Sequence, residues 1–401
     1  MGDTYLLAAV WLSLALIAAL ISIWLGIATA LSEILVGIIA QLIIAAAFGS
    51  EALGAHTPWV QFLSGTGAIV LTFLAGAELD PEVFRRKFSE ATAVGVASFL
   101  APFLGCTAVA YFVLHWTSAS SWLAGVALST TSVAVVYAVM LEFGLNKTDY
   151  GKTVLAACFI TDLGTVLALG FLFSPFGWKT GLFFVVSILV LFAIRWLTPR
   201  FFRRYGNRPS ELEAKFLLLA LFGLGAFAIW AGSEAVLPAY VLGMALAGTV
   251  GKDHVLIRRL RTVTFGLLTP FYFIRAGSFV LLPTLWAAPW AFLLFLGSKI
   301  GTKIIGVYPV TAWFKAPRGE AMYTTLLMST GLTFGSISAL FGLSHGIINQ
   351  SQYSLLILTV IASAVVPTLI ANAWYLPRHL MGETAEPDPA AAAAAANPRN
   401  S

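Results

Sequence analysis

Runs of about twenty apolar residues, separated by short polar breaks, recur along the whole chain. That is the length an α-helix needs to cross the ~30 Å hydrocarbon core of a bilayer. Taken in order, the runs predict about thirteen transmembrane helices. They cover roughly 5–29, 33–49, 60–78, 90–115, 121–143, 151–174, 179–197, 212–231, 236–250, 258–283, 286–309, 321–343 and 352–377, here spans 1 to 13. Span 9 is short for a full crossing. Composition points the same way: 59% of the 401 residues are hydrophobic and 10% charged, against roughly 45–50% and 25% in soluble domains. The expected fold is an all-α integral membrane protein, and nothing in the chain suggests an enzyme.

The basic residues test the helix count independently. Loops after odd-numbered spans hold Arg85, Arg86 and Lys87; Lys147 and Lys152; Arg195, Arg200, Arg203, Arg204, Arg208 and Lys215; Lys252, Arg258, Arg259 and Arg261; then Lys315 and Arg318, and finally Arg378. The opposite loops carry essentially Lys179 alone. By the positive-inside rule the basic loops are cytoplasmic, which puts the N-terminus outside and the C-terminus inside a plasma (inner) membrane. The net charge of +5 is therefore a feature of topology, and no nucleic-acid partner is implied. Span 1 lacks a basic n-region and an A-x-A site, so it reads as a retained helix. The low-complexity stretch after Met381, GETAEPDPAAAAAAANPRNS, reads as a disordered, dispensable tail.

Cofactor chemistry has no foothold. Cys106 and Cys158 fall inside spans, where a lone thiol is a small packing residue. His56, His115, His254, His345 and His379 are scattered without ligand spacing, so no zinc or haem site is expected.

Against this apolar background one ionisable residue stands out. Asp162 lies deep in KTVLAACFITDLGTVLALGFLF, residues 152–173. A charge at that depth costs at least ~2.5–3.5 kcal/mol, which makes it a functional-site candidate. Protonated, the carboxyl is neutral and can pass apolar walls; ionised, it needs a cation to offset its desolvation. At the foot of a hydrated funnel it would bind a proton or a metal ion in competition, and that coupling is the essence of an exchanger.

Two hydroxyl- and glycine-rich patches frame it. Span 5 contains Leu128-Ser129-Thr130-Thr131-Ser132-Val133, and span 12 contains Met328-Ser329-Thr330-Gly331-Leu332-Thr333-Phe334-Gly335-Ser336. Such residues are poor helix formers that can offer side-chain or freed backbone oxygens. One patch alone reads as hydroxyls bonding back to their own helix. Two at matched positions seven helices apart cross the membrane in opposite senses, as an inverted-topology repeat requires, and point to a transporter's midplane site.

These segments, with SEILVGIIAQLIIAAAFG, FLAGAELDPEVFRR, TPFYFIRAG and KIGTKIIGVYP, resemble the second monovalent cation:proton antiporter family, which includes Kef-, Nap- and GerN-type proteins. The likeness covers residues 5–377. It implies a homodimer with two broken crossing helices, scaffold helices at 1–89 and 212–285, core transport helices at 90–174 and 286–378, a linker helix and loop at 175–211, and a tail at 379–401. It also implies that Asp162 is the ion and proton site, with neutral oxygens from Thr161, Thr130, Thr131 and Ser132, and with Ser329, Thr330, Gly331 and Thr333 forming the second broken helix. Such oxygens suit weakly held Na⁺ or K⁺, and one carboxylate is too few for tight Ca²⁺ or Mg²⁺.

The chain also departs from the family pattern. Electrogenic members carry two adjacent acids, many electroneutral ones Asn-Asp and Kef-type proteins Gln-Asp, where this chain has Thr161-Asp162. One carboxylate implies one-for-one, electroneutral exchange by alternating access, with Na⁺ the first candidate and K⁺ the second. Either Lys299 or Lys303 can pair with Asp162 or brace the crossing; the resemblance to the family's K-x-x-G spacing, here with Gly306, favours Lys303. Proton release from either lysine would alter the stoichiometry. Arg275 is expected to fix a scaffold contact through backbone carbonyls or a hidden acid. Glu33, Glu78, Asp80 and Glu142 are placed at helix ends, solvated or paired with Arg85, Arg86 or Lys147, and Glu234 in an outward-facing break. A sodium-coupled organic-anion symporter of related fold is the main alternative; an intramembrane aspartyl protease lacks its second deep acid, and a channel its filter ring.

Overall fold

The structure, a computed structural model, describes residues 2–25, 27–49, 52–77, 87–173, 177–206, 208–233, 235–281, 283 and 287–381. Every regular element among them is helical. The helices fall on the apolar runs, because in lipid each backbone N–H and C=O must find its partner within the segment. Among the described residues nine are long and apolar enough to cross a membrane by length and composition, including Thr4–Leu25, Pro58–Ala77, Phe88–Val113, Asp149–Phe173, Trp178–Tyr205, Leu212–Trp230, Pro289–Trp313 and Gln350–Tyr375. Span 2 is Thr29–Phe48.

Two segments differ from the sequence reading. Span 9 is helical only over Val236–Leu246, 11 residues, or ~16 Å at 1.5 Å per residue, about half a crossing. Span 10 begins earlier than expected, at His254, capped by Asp253, whose carboxylate accepts from Val255 N and Leu256 N. Its first piece, His254–Val263, is amphipathic, with Leu256, Ile257 and Leu260 buried and Arg258 and Arg259 exposed. The apolar part follows through a wider turn at Thr264–Leu268 and the helix Thr269–Ser278.

Both hydroxyl-rich patches interrupt their helices. Span 5 is Ser118–Ser129 and Val133–Glu142, joined through Thr130 in an extended conformation; span 12 is Arg318–Met328 and Thr333–Ser344, broken around Gly331 and Leu332. The breaks touch: Ser132 N donates to Thr330 O at 3.0 Å, and Thr131 Oγ1 to Met328 O at 2.8 Å. Groups freed from one helix are thus satisfied by the other, as burial in an apolar medium demands.

Glycines set the spacing around the crossing. Gly95 of span 4 lies against Ala157 O of span 6, Gly306 of span 11 against Ala97 and Ala101 of span 4, and Gly335 of span 12 against Ala127 of span 5. Spans 4, 5, 6, 11, 12 and 13 therefore wrap the crossing. On the other side spans 2 and 10 meet at Gly37 and Gly277, and spans 3 and 9 at Gly76 and Gly243, each glycine facing partner backbone. Small residues permitting backbone approach are the usual device of membrane helix pairs. A repeat relating spans 1–6 to spans 8–13, as expected from the sequence, would exchange these two contacts.

Candidate functional site

Asp162 sits mid-helix in Asp149–Phe173 and is 1% exposed. Its Oδ1 has no hydrogen-bond partner. An unpaired polar atom out of water costs free energy comparable to a lost hydrogen bond or more, so the fold holds this group at a cost. The sequence placed it at the foot of a funnel; the structure encloses it. A crevice of about 500 Å³ does open between spans 1 and 2 on one side and spans 5 and 13 on the other, lined by Leu31, Val135, Val139, Thr368 and Asn372 among others, but Asp162 is not in its wall.

The hydroxyls of the two breaks and of span 6 are all buried. Thr130, Thr131, Ser132, Thr161, Ser329 and Thr330 are fully buried, and Thr333 nearly so. Most spend their proton on a backbone carbonyl: Thr130 on Ala127 O, Thr161 on Ala157 O and Gly95 O, Ser329 on Thr325 O, and Thr330 on Leu327 O. A hydroxyl that donates in this way keeps its oxygen lone pairs as acceptors, which is what a cation needs.

Of the two roles open to the lysines, pairing with Asp162 and bracing the crossing, the contacts of Lys303 are those of a brace. Lys303 forms no ion pair with Asp162 within 4.0 Å; its Nζ donates to Ser98 Oγ at 2.7 Å and Thr131 Oγ1 at 3.0 Å. Lys299 Nζ is buried with no hydrogen-bond partner and lies against Gly331, where a Cβ would overlap it and would stand 2.7 Å from Thr130 Oγ1. Each ammonium therefore lies by the carbonyl end of a half-helix, Lys303 through Thr131 at Met328 and Lys299 beside Thr130, and cations are favoured at such ends.

Two residues were missed. Ser98, in span 4, is the acceptor for Lys303, and Tyr240, in span 9, donates to Phe159 O at 2.8 Å, one turn before Asp162, while its ring stands edge-on to Phe334. A single hydroxyl in an apolar run carries no spacing signal that could have singled either out. Cys158, one turn from Asp162, contacts Met328 Sδ.

Among the other charges, Arg275 donates from Nε to Ala55 O at 2.8 Å and stacks over Phe279. Glu33, read from the sequence as a solvated or paired helix end, lies in the second turn of span 2, is 3% exposed, and forms no ion pair among the described residues. It is a buried carboxyl and no solvated helix end. Glu78, Asp80, Arg85, Arg86 and Glu234, and the side chains of Glu142 and Lys147, lie outside the described residues.

Two interrupted helices that touch beside a buried carboxyl are the arrangement of a secondary membrane carrier. The chain belongs to the transmembrane sodium/hydrogen exchanger family, whose profile matches residues 12–374. It is 26% identical over 372 residues to cation/H⁺ antiporter 17 of Arabidopsis thaliana, covering 85% of this chain and 45% of that protein. It is 24% identical over 367 residues to the Na⁺/H⁺-K⁺ antiporter GerN of Bacillus cereus, covering 86% and 89%. This chain thus spans under half of the plant relative and most of the bacterial one. Its fold is similar to that of the sodium proton antiporter MjNhaP1 of Methanocaldococcus jannaschii, with a TM-score of 0.69 at 17% identity over 95% of this chain and 98% of that one.

Proposed function

We propose that the protein exchanges a monovalent cation, Na⁺ first and K⁺ second, for H⁺ across the membrane, with Asp162 carrying proton and cation in turn. The observation that carries this is the buried carboxyl with one oxygen unpartnered, one helix away from two touching helix breaks whose hydroxyl oxygens retain acceptor capacity. The coupling follows from desolvation. An empty, ionised Asp162 is the form that apolar surroundings penalise most, so the site changes sides readily only with a proton or a cation aboard.

In this reading spans 4–6 and 11–13 form the moving core, spans 1–3 and 8–10 the scaffold and dimer interface, and span 7 the link. Access alternates as the core shifts in a plasma (inner) membrane with the basic loops cytoplasmic. The working unit is a homodimer, and the physiological role is pH homeostasis. One carboxylate gives one-for-one, electroneutral exchange. The family match and the relatives' names favour exchange with H⁺ over the organic-anion symporter.

In everted vesicles holding an acid-inside gradient, adding Na⁺ or K⁺ dissipates the gradient; no response to Na⁺, K⁺ or Li⁺ would remove the assignment. An exchange rate that responds to an imposed membrane potential would contradict one-for-one exchange.

Tyr240 belongs to the scaffold and bonds the core helix that bears Asp162. Removing that hydroxyl in Tyr240→Phe deletes a bond of ~1 kcal/mol that has to break if the core slides. The expected result is turnover at saturating cation raised about fivefold or less, with little change in the apparent KM.

A further inference from the structure

Lys303 has two neutral acceptors and no carboxylate in contact, and this arrangement is built. Ser98 and Thr131 are both fully buried and come from different helices, spans 4 and 5. They stand 3.3 Å from one another and converge on one Nζ at 2.7 and 3.0 Å. Thr131 passes its own proton to Met328 O at 2.8 Å, which orients its lone pairs toward the ammonium. Among the described residues the Ser98 Oγ meets Thr131 and Lys303 alone. Meanwhile Asp162 Oδ1 is left without a donor in the same buried cluster of helices.

We propose that Ser98 is a positioning residue that sets the affinity for the transported cation: with Thr131 it holds the Lys303 ammonium away from Asp162, leaving the carboxyl open to its cargo. This rests on the reading of Asp162 as the shared site. A cation entering the site competes with every other positive charge that can reach the carboxylate. Lys303 stays out of that competition only while neutral oxygens satisfy its protons, because a buried ammonium without acceptors is costly. Without Ser98 one strong, charge-assisted bond is lost, and Asp162 becomes the better acceptor. The resulting ion pair then has to be broken by each incoming cation.

The test is the kinetics of cation-driven exchange in everted vesicles for Ser98→Ala and Ser98→Thr, with the same pair made in a Lys303→Met background. In the native background Ser98→Ala raises the apparent cation KM roughly tenfold, equivalent to ~1.4 kcal/mol, and lowers the maximal rate much less. Ser98→Thr, which restores a hydroxyl, recovers most of the affinity. In the Lys303→Met background, where no ammonium has to be held, Ser98→Ala changes cation affinity by less than about twofold. Cation-induced thermal stabilisation of the purified protein in detergent reports that affinity independently of turnover. An unchanged KM in Ser98→Ala overturns the proposal, as does an equal loss of affinity with and without Lys303, which would make Ser98 a packing residue. Failure of the underlying reading looks different: exchange would survive Asp162→Asn whatever Ser98 does.

Discussion

Asp162→Asn abolishes cation-for-proton exchange, lowering the rate in everted vesicles by about a hundredfold or more. Asparagine has nearly the same shape, but it can hold no proton and offers no negative charge to a cation, so neither substrate has a reason to wait for the other. The variant is nevertheless expected to fold. Asp162 Oδ1 has no hydrogen-bond partner, and replacing a buried ionisable group that has such an orphaned oxygen with a neutral amide removes a desolvation cost of order ~1 kcal/mol or more. Its melting temperature in detergent should therefore equal or exceed that of the native protein, which separates lost chemistry from lost structure. Exchange above about a tenth of the native rate would show that the carboxylate is dispensable.

Gly277→Val is the most damaging single change expected outside the site. A Cβ at Gly277 runs into the carbonyl oxygen of Ile34 and stands 3.0 Å from its carbonyl carbon and 3.1 Å from Ile38 N. Backbone cannot rotate aside as a side chain can, so spans 2 and 10 have to separate. Overpacking of this kind costs ~3 kcal/mol or more, and the expected readout is a large drop in melting temperature and in the yield of folded protein. The repeat supplies a second case, Gly243→Val, where the obstruction is Phe73 O of span 3. Gly223, with nothing within 4 Å of an added Cβ, is the control, and its valine variant should cost within ~1 kcal/mol. Equal stability of the Gly277 and Gly223 variants would mean that close approach of spans 2 and 10 is not needed.

Much of the fold was legible because a bilayer leaves the chain few options. Apolar length gave the spans, and the two hydroxyl-rich patches marked the breaks because serine, threonine and glycine do little to hold a helix together. Span 9 was harder. Its apolar run extends to Val250, but the helix ends at Leu246, and hydropathy does not distinguish a helix from turns packed in an apolar setting. Glu33 misled for a similar reason: a charge near the start of a run reads as a helix end, and only its placement among packed helices shows that it is buried.

Local sequence alone determined that this is a helical membrane protein with two matched interruptions and a carboxyl deep in a span, since each follows from the free energy of placing a short stretch in hydrocarbon. Tertiary structure decided which groups those interruptions serve. Lys303 meets Ser98 across 205 positions of chain, Thr131 meets Met328 across 197, and Tyr240 reaches Phe159 across 81. A hydrogen bond depends on direction and on distances of about 3 Å, and those are set by how the helices pack.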